Sequence, residues 1–292
     1  MKTHALEQEY VPHHEYLVCI DSDGCAFDTM EIKQKECFIP AGIEHFDLQP
    51  VSSLARETWE FVNLYSKTRG TNRFNALLRV LDLLRERPEA VQRGYRPFDY
   101  EVFRHWVETA PLLNNDAVAA LAETEPVMKR IIDWSLDVNR RIAHMVHGIP
   151  PFPFVRESLE KISKTADIVI VSATPREALV KEWTEHGIDR YVNVLGAQED
   201  GSKAEIIAAV KGTYAPDHVL MMGDAPGDHK AADKNGVLFY PIRPLDEVAS
   251  WEEFFREDAD RFLAGTYAGD VMRDRHARFD ACLPEEPPWK KA

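Results

Sequence analysis

Two rhythms of apolar residues divide this chain. Tyr16-Leu17-Val18-Cys19-Ile20 is an unbroken apolar run of strand length that ends in two carboxylates and a glycine, Asp21-Ser22-Asp23-Gly24. After the connector Cys25-Ala26-Phe27-Asp28-Thr29 no convincing strand follows for about a hundred residues. Val51, Leu54, Phe61, Val62 and Tyr65 keep helical spacing. A second helix reads from Asn72 to Arg87, with Phe74, Leu77, Leu78, Leu81 and Leu84 on one face and Pro88 ending it. Shorter helical pieces are predicted around Tyr100 to Glu108 and Asp116 to Glu123. A long helix then starts at Pro126, a favoured first-turn residue, and runs to about His147. Its inner face would carry Ile131, Trp134, Val138, Ile142 and Met145. Residues 31–148 therefore read as an all-helical insert.

Gly148-Ile149-Pro150-Pro151-Phe152-Pro153 cannot be helical and marks a boundary. Beyond it helices and strands alternate: helix Phe154 to Lys164, strand Ile168 to Val171, helix Pro175 to His186, and a weaker strand Tyr191 to Leu195. Helix Ser202 to Lys211, strand His218 to Met222, a short helix His229 to Lys234 and strand Val237 to Tyr240 complete the pattern. Such alternation implies a parallel sheet covered on both faces, an α/β core of Rossmann type. The expected organisation is a core of residues 1–30 and 149–245, the helical insert 31–148, and a C-terminal helix and tail, 246–292, packing on the core. In that tail Ser250-Trp251-Glu252-Glu253 reads as a capping box. Trp251, Phe254, Phe255 and Phe262 form a core-packing stripe, and Leu283 to Ala292 an extended arm.

Composition narrows the classes. A length of 292 residues, 45% hydrophobic and 29% charged, suits a globular protein of one large or two smaller domains. The formal charge of -14 argues against a nucleic-acid or acidic-membrane partner, but not against a small phosphorylated substrate met by a local cation cluster. Cys19, Cys25, Cys37 and Cys282 show no paired or metal-type spacing, which fits a reducing, cytoplasmic setting. Met1 to Pro12 is polar and lacks the apolar core of an export signal, and no apolar run approaches membrane-span length.

In an open parallel sheet, ligands bind beyond the carboxyl ends of the strands. Those ends carry Asp21 and Asp23, then Ser172-Ala173-Thr174-Pro175, then Gly223-Asp224-Ala225-Pro226-Gly227-Asp228; Gly201-Ser202-Lys203 opens a helix at the same end. Each piece has an ordinary reading as a turn, a cap or a surface lysine. Together, four carboxylates, a hydroxyl and an ammonium suit a hard cation and a phosphoryl group.

In order and context, Asp21-Ser22-Asp23-Gly24, Ser172, Lys203 and Gly223-Asp224 with Asp228 resemble the four motifs of the haloacid dehalogenase-like (HAD) hydrolases. The helical insert stands where that family carries its cap domain. Three features depart from the pattern: Cys25 follows the glycine, the insert is long, and no proline follows Lys203. The resemblance implies that Asp21 attacks phosphorus and forms an aspartyl-phosphate, with Asp23 as acid and base. It implies Mg2+ at Asp21, the Asp23 carbonyl, Asp224 and Asp228, a phosphoryl oxygen on Ser172 beside Ala173 and Thr174, and Lys203 neutralising charge. Because expelling a halide needs no proton and expelling an alkoxide does, Asp23 favours phosphomonoester hydrolysis over dehalogenation.

Alternatives within the scaffold are phosphomutase or phosphonate-cleaving chemistry, the latter calling on a lysine such as Lys33, Lys35 or Lys67, or a non-catalytic binding protein. Specificity is expected from the insert closing over the site. Its segment Lys67 to Arg73 could offer Arg69 or Arg73 to an anionic substrate, against the plainer reading of a solvated loop. His144 and His147 read as helix-surface residues without a third metal ligand, and His229 as a helix-start residue beside Asp228. Oligomeric state is not legible.

Overall fold

Five short apolar strands pair in parallel in the order β3-β2-β1-β4-β5, as seen in a computed structural model that describes residues 10–212 and 214–290. They are β1 Tyr16–Ile20, β2 Ala166–Val171, β3 Val194–Gly196, β4 Val219–Gly223 and β5 Leu238–Pro241. Alternation sorts their side chains onto two faces. Val18, Ile20, Ile168, Ile170, Leu220 and Met222 pack into one fully buried cluster with Leu159, Trp183 and Trp251. Leu17, Cys19, Val169, Val171, Val219 and Met221 pack into the other with Ile206, Ile207 and Phe279. The sheet is thus the middle layer of a three-layer α/β core, as the alternation of elements predicts. Successive strands run outward from β1 through β2 to β3, and the chain then returns to place β4 on the other side of β1. The direction of winding reverses between β1 and β4, which is where such sheets open a crevice.

The chain divides into two units, Met1–Met30 with Gly148–Leu283, and Glu31–His147 with Pro284–Ala292. The second is all-helical, including Ser52–Asn63, Arg73–Glu86, Glu101–Thr109 and Pro126–Met145. Its core gathers Trp59, Phe74, Leu77, Leu81, Phe103 and Trp134. Gly42 lies so close to the Trp59 ring that a Cβ there would sit 2.4 Å from it.

Several expectations change. Residues 29–45 form helical turns with a π-helical stretch at Lys33–Phe38, and Asp270–Cys282 is a helix whose sparse apolar residues hid it. The short helix near His229 begins earlier, at Pro226, because Asp228 caps it: its Oδ2 accepts the Ala225 N–H at 3.0 Å. The proposed capping box at Ser250 is overturned. The helix is Glu247–Glu253, and buried Ser250 lies inside it, donating to the Asp246 carbonyl at 2.8 Å and accepting the Arg243 N–H. Nor does the whole C-terminal tail pack on the core. Trp289 packs against Phe61 of the helical unit and under the Arg87 guanidinium, 4.2 Å from the ring centroid, an apolar and cation-π environment that suits an indole. Of the expected polar N-terminal stretch and C-terminal arm, residues 1–9 and 291–292 lie outside the described residues. Among the described residues no helix is long and apolar enough to cross a membrane.

Asp167 breaks the apolar run of β2, which is why a sequence reading that begins at Ile168 starts that strand two residues late. Its side chain is fully buried and accepts the N–H groups of His13 (2.8 Å) and His14 (3.0 Å), Tyr214 Oη (2.6 Å) and Asn193 Nδ2 (3.1 Å). Burial pushes its pKa up, but these hydrogen bonds outweigh that and leave it below the ordinary carboxylate value. The stability it contributes is therefore complete above the unfolded carboxylate pKa of about 3.9 and lost as pH falls through its lower folded value. Asp167→Asn should cost about 2–3 kcal/mol in urea unfolding at pH 7, a deficit that shrinks below about pH 4. An equal deficit at pH 7 and pH 3 would remove the charge from the explanation.

Candidate active site

The loop after β1 is built around Ser22. Its carbonyl accepts the N–H groups of Ala26 (2.9 Å) and Phe27 (3.1 Å), and Gly24, at φ +77°, supplies the left-handed turn. Asp21 N–H still pairs with Met222 O of β4 at 3.0 Å, so Asp21 is the last residue held by the sheet. Its Oδ1 accepts the Ser22 N–H at 2.8 Å. The Asp23 carboxylate accepts two hydroxyls, Thr29 Oγ1 at 2.5 Å and Thr174 Oγ1 at 2.8 Å. Two carboxylates two residues apart thus have different hydrogen-bond partners.

Asp224 and Asp228 arrive from the end of β4 and the first turn of the following helix. One carboxylate oxygen from each of Asp21, Asp224 and Asp228 falls within 4.8 Å of the others, and all three residues are buried. Lys203, first residue of helix Lys203–Val210, is delivered by a true capping box between Ser202 and Glu205. Its Nζ lies 2.6 Å from Asp21 Oδ2 and 2.5 Å from Asp228 Oδ1. Burial pushes the Asp21 carboxyl well above its usual range; Asp228 and Asp224 push the same way, and Lys203 opposes them. Burial works against the Lys203 charge too, yet Asp21 and Asp228 hold its pKa above the ordinary lysine value. Three buried carboxylates against one ammonium is a donor set with capacity for a hard divalent cation.

Ser172 is buried at the end of β2. Its N–H pairs with Gly196 O at 3.0 Å and its Oγ accepts the Thr174 N–H at 3.1 Å. Ala173 is exposed and Thr174 half-buried, so this turn presents one open residue and one that reaches Asp23. Cys25, the departure from the family pattern, is fully buried, and burial with Asp224, Asp21 and Asp228 nearby raises its pKa far enough to keep the thiol neutral.

In the helical unit, Arg69 and Arg73 do not stand in a solvated loop. Arg69 is buried and donates to Leu64 O at 2.9 Å. Arg73 donates to Ser135 Oγ (3.0 Å) and Asn139 Oδ1 (2.7 Å) and lies over the Phe38 ring. A flexible polar stretch by composition is thereby tied to its own unit by guanidinium hydrogen bonds. Burial works against the Lys35 charge, but Glu31 and Tyr65 outweigh it and raise the pKa above the ordinary value, a poor state for a Schiff-base nucleophile. His144 and His147 are exposed. The His229 ring stacks on Phe239 at 4.7 Å. Sequence reasoning missed Thr29, Glu182 and Trp183; the last two meet Ser22 Oγ from about 160 residues away, and no local pattern announces that.

A chain described as a predicted phosphoglycolate phosphatase, from Haemophilus somnus, aligns at 14% identity over 78% of this chain and 85% of its own, with a TM-score of 0.49. A candidate β-phosphoglucomutase from Bacteroides vulgatus aligns at 15% identity over 90% and 99%, also at 0.49. A haloacid dehalogenase-like family protein from Streptococcus pneumoniae aligns at 13% identity over 81% and 90%, at 0.43. No curated protein matches the chain. The family model for haloacid dehalogenase-like hydrolases matches residues 93–242, which include Ser172, Lys203, Asp224 and Asp228 and leave the Asp21 loop outside. That match covers just over half of the 292 residues, and on it the chain belongs to the haloacid dehalogenase-like hydrolases.

Proposed function

We propose that this protein is a Mg2+-dependent phosphatase of a small phosphomonoester, working through an aspartyl-phosphate. The observation that carries the reading is the buried cluster of Asp21, Asp224 and Asp228 with Lys203 between two of them. Asp21 attacks phosphorus as the ester P–O bond breaks, and the departing alkoxide takes a proton from Asp23. Asp23 then takes a proton from the water that cleaves the aspartyl-phosphate and releases inorganic phosphate. Thr29 and Thr174 hold the Asp23 carboxyl in one direction through both half-reactions. Lys203 neutralises the phosphoryl oxygens, and Ser172, beside Ala173 and Thr174, donates to one of them. A Mg2+ held by Asp21, Asp224 and Asp228, with the Asp23 carbonyl, would offset the repulsion between an anionic nucleophile and an anionic substrate.

The test is a panel of small phosphoesters assayed with Mg2+ and again in excess chelator. Turnover of at least one ester, lost on chelation and restored by Mg2+, is the expected result. Silence across the panel, or full activity in chelator, would sink the reading. Asp23→Asn should lower kcat by about 10²–10⁴-fold with the fold retained. Near-normal turnover in that variant would remove the acid and base assignment.

A further inference from the structure

Ser22 is fully buried between Asp21 and Asp23 and uses every polar atom it has. Its N–H holds Asp21 Oδ1 at 2.8 Å, and its carbonyl closes the loop by accepting the N–H groups of Ala26 and Phe27. Its Oγ donates to Glu182 Oε2 at 2.7 Å and accepts Trp183 Nε1–H at 2.9 Å. Both partners belong to helix Arg176–Glu185. Trp183 is itself fully buried, with its ring edge-on to Phe27 at 5.5 Å. With donor and acceptor both committed, the hydroxyl has one orientation, and the peptide that carries the Asp21 contact is fixed with it. Glu182 and Trp183 thus fix the hydroxyl from both sides through one helix, and it is the position of the acceptor, not its charge, that sets the orientation.

We propose that Ser22, Glu182 and Trp183 are positioning residues: they lock the Ser22 peptide so that its N–H aims the Asp21 carboxylate at phosphorus. The proposal rests on the phosphatase reading, in which Asp21 is the nucleophile. Wild type, S22A, E182A, E182Q and W183F are compared for kcat, KM and melting temperature on a phosphomonoester that the wild type hydrolyses. S22A and E182A should lower kcat about ten- to hundred-fold with KM within about twofold, because the nucleophile is misaimed while binding persists. E182Q still accepts the Ser22 hydroxyl and should stay within about threefold of wild type, with W183F between the two groups. The second readout is the Trp183 indole 15N–1H resonance when Mg2+ and beryllium fluoride, a mimic of the aspartyl-phosphate, are added. It should shift in wild type and stay still in S22A. Lowered melting temperatures with kcat unchanged in S22A and E182A would overturn the proposal, as would E182Q falling as far as E182A. A wild type that neither hydrolyses any phosphomonoester nor responds to beryllium fluoride would instead bring down the phosphatase reading, and this proposal with it.

Discussion

Asparagine at Asp21 is expected to abolish turnover, by about 10⁴-fold or more, while leaving the protein as stable as wild type or more so in chelator. The two halves of that expectation have one cause. Asp21 is buried with Asp224 and Asp228, and its carboxyl is pushed well above the usual range, by burial first and then by those two neighbours. An acid whose folded pKa is raised takes stability from the native state once pH exceeds its unfolded value, about 3.9. At neutral pH the wild type therefore carries strain that the neutral amide relieves. Asparagine keeps the shape and keeps an acceptor for the Ser22 N–H, but its neutral amide lacks the anionic oxygen that forms an acyl phosphate. It also removes one of two carboxylates on Lys203, leaving Asp228 at 2.5 Å. The measurement is a pair: kcat with Mg2+, and melting temperature in chelator. A melting temperature several degrees below wild type would show that Asp21 serves the fold, and the strain argument would fail.

Gly223→Ala should be the next most damaging change. A Cβ on Gly223 would sit 2.4 Å from Cβ, Cγ and Oδ2 of Asp228. Asp228 cannot turn aside, because it is fully buried with Oδ1 on Lys203 and Oδ2 on the Ala225 N–H. The strain must then move the start of helix Pro226–Asn235 relative to β4, and with it two of the three clustered carboxylates. Overpacking of this kind costs about 1–3 kcal/mol, and misplacement at a reacting centre can cost about 10²-fold in rate. Gly227→Ala is the matched control. Nothing lies within 4 Å of a Cβ there, so it should be neutral or stabilise by about 0.4–1 kcal/mol. Urea unfolding and the Mg2+ concentration dependence of activity report the two effects separately. Equal behaviour of the two alanines would mean that Asp228 is not held as described.

The core was the most legible part of this protein, for a physical reason. Strands buried on both faces are mostly apolar, so β1, β2, β4 and β5 stand out as runs, Asp167 in β2 being the exception, and their ends mark where polar groups can return. The parallel order follows once helices separate them. Where the reading slipped, a tertiary partner had overridden a local rule. Ser250 looked like a helix start, yet it is enclosed by Arg243, Asp246 and the helix they precede. Trp289 looked like part of a loose arm, yet it found Phe61 and Arg87. Asp167 lay outside the strand read from Ile168, yet it pairs with Leu17 of β1, and donors from distant segments satisfy its buried carboxylate.

The order of residues along the chain determined that Asp21, Asp23, Ser172, Lys203, Asp224 and Asp228 sit at strand ends and helix starts, because hydrophobic period, glycines and caps are local facts. It also determined the helical character of 31–148. Only the folded chain decided which carboxylates share space with Lys203, that Asp23 is held by Thr29 and Thr174, and that Ser22 is tied to Glu182 and Trp183. Those relations depend on distances between segments as much as 160 residues apart, set by side-chain packing at a scale of tenths of an ångström, and no periodicity along a sequence encodes them.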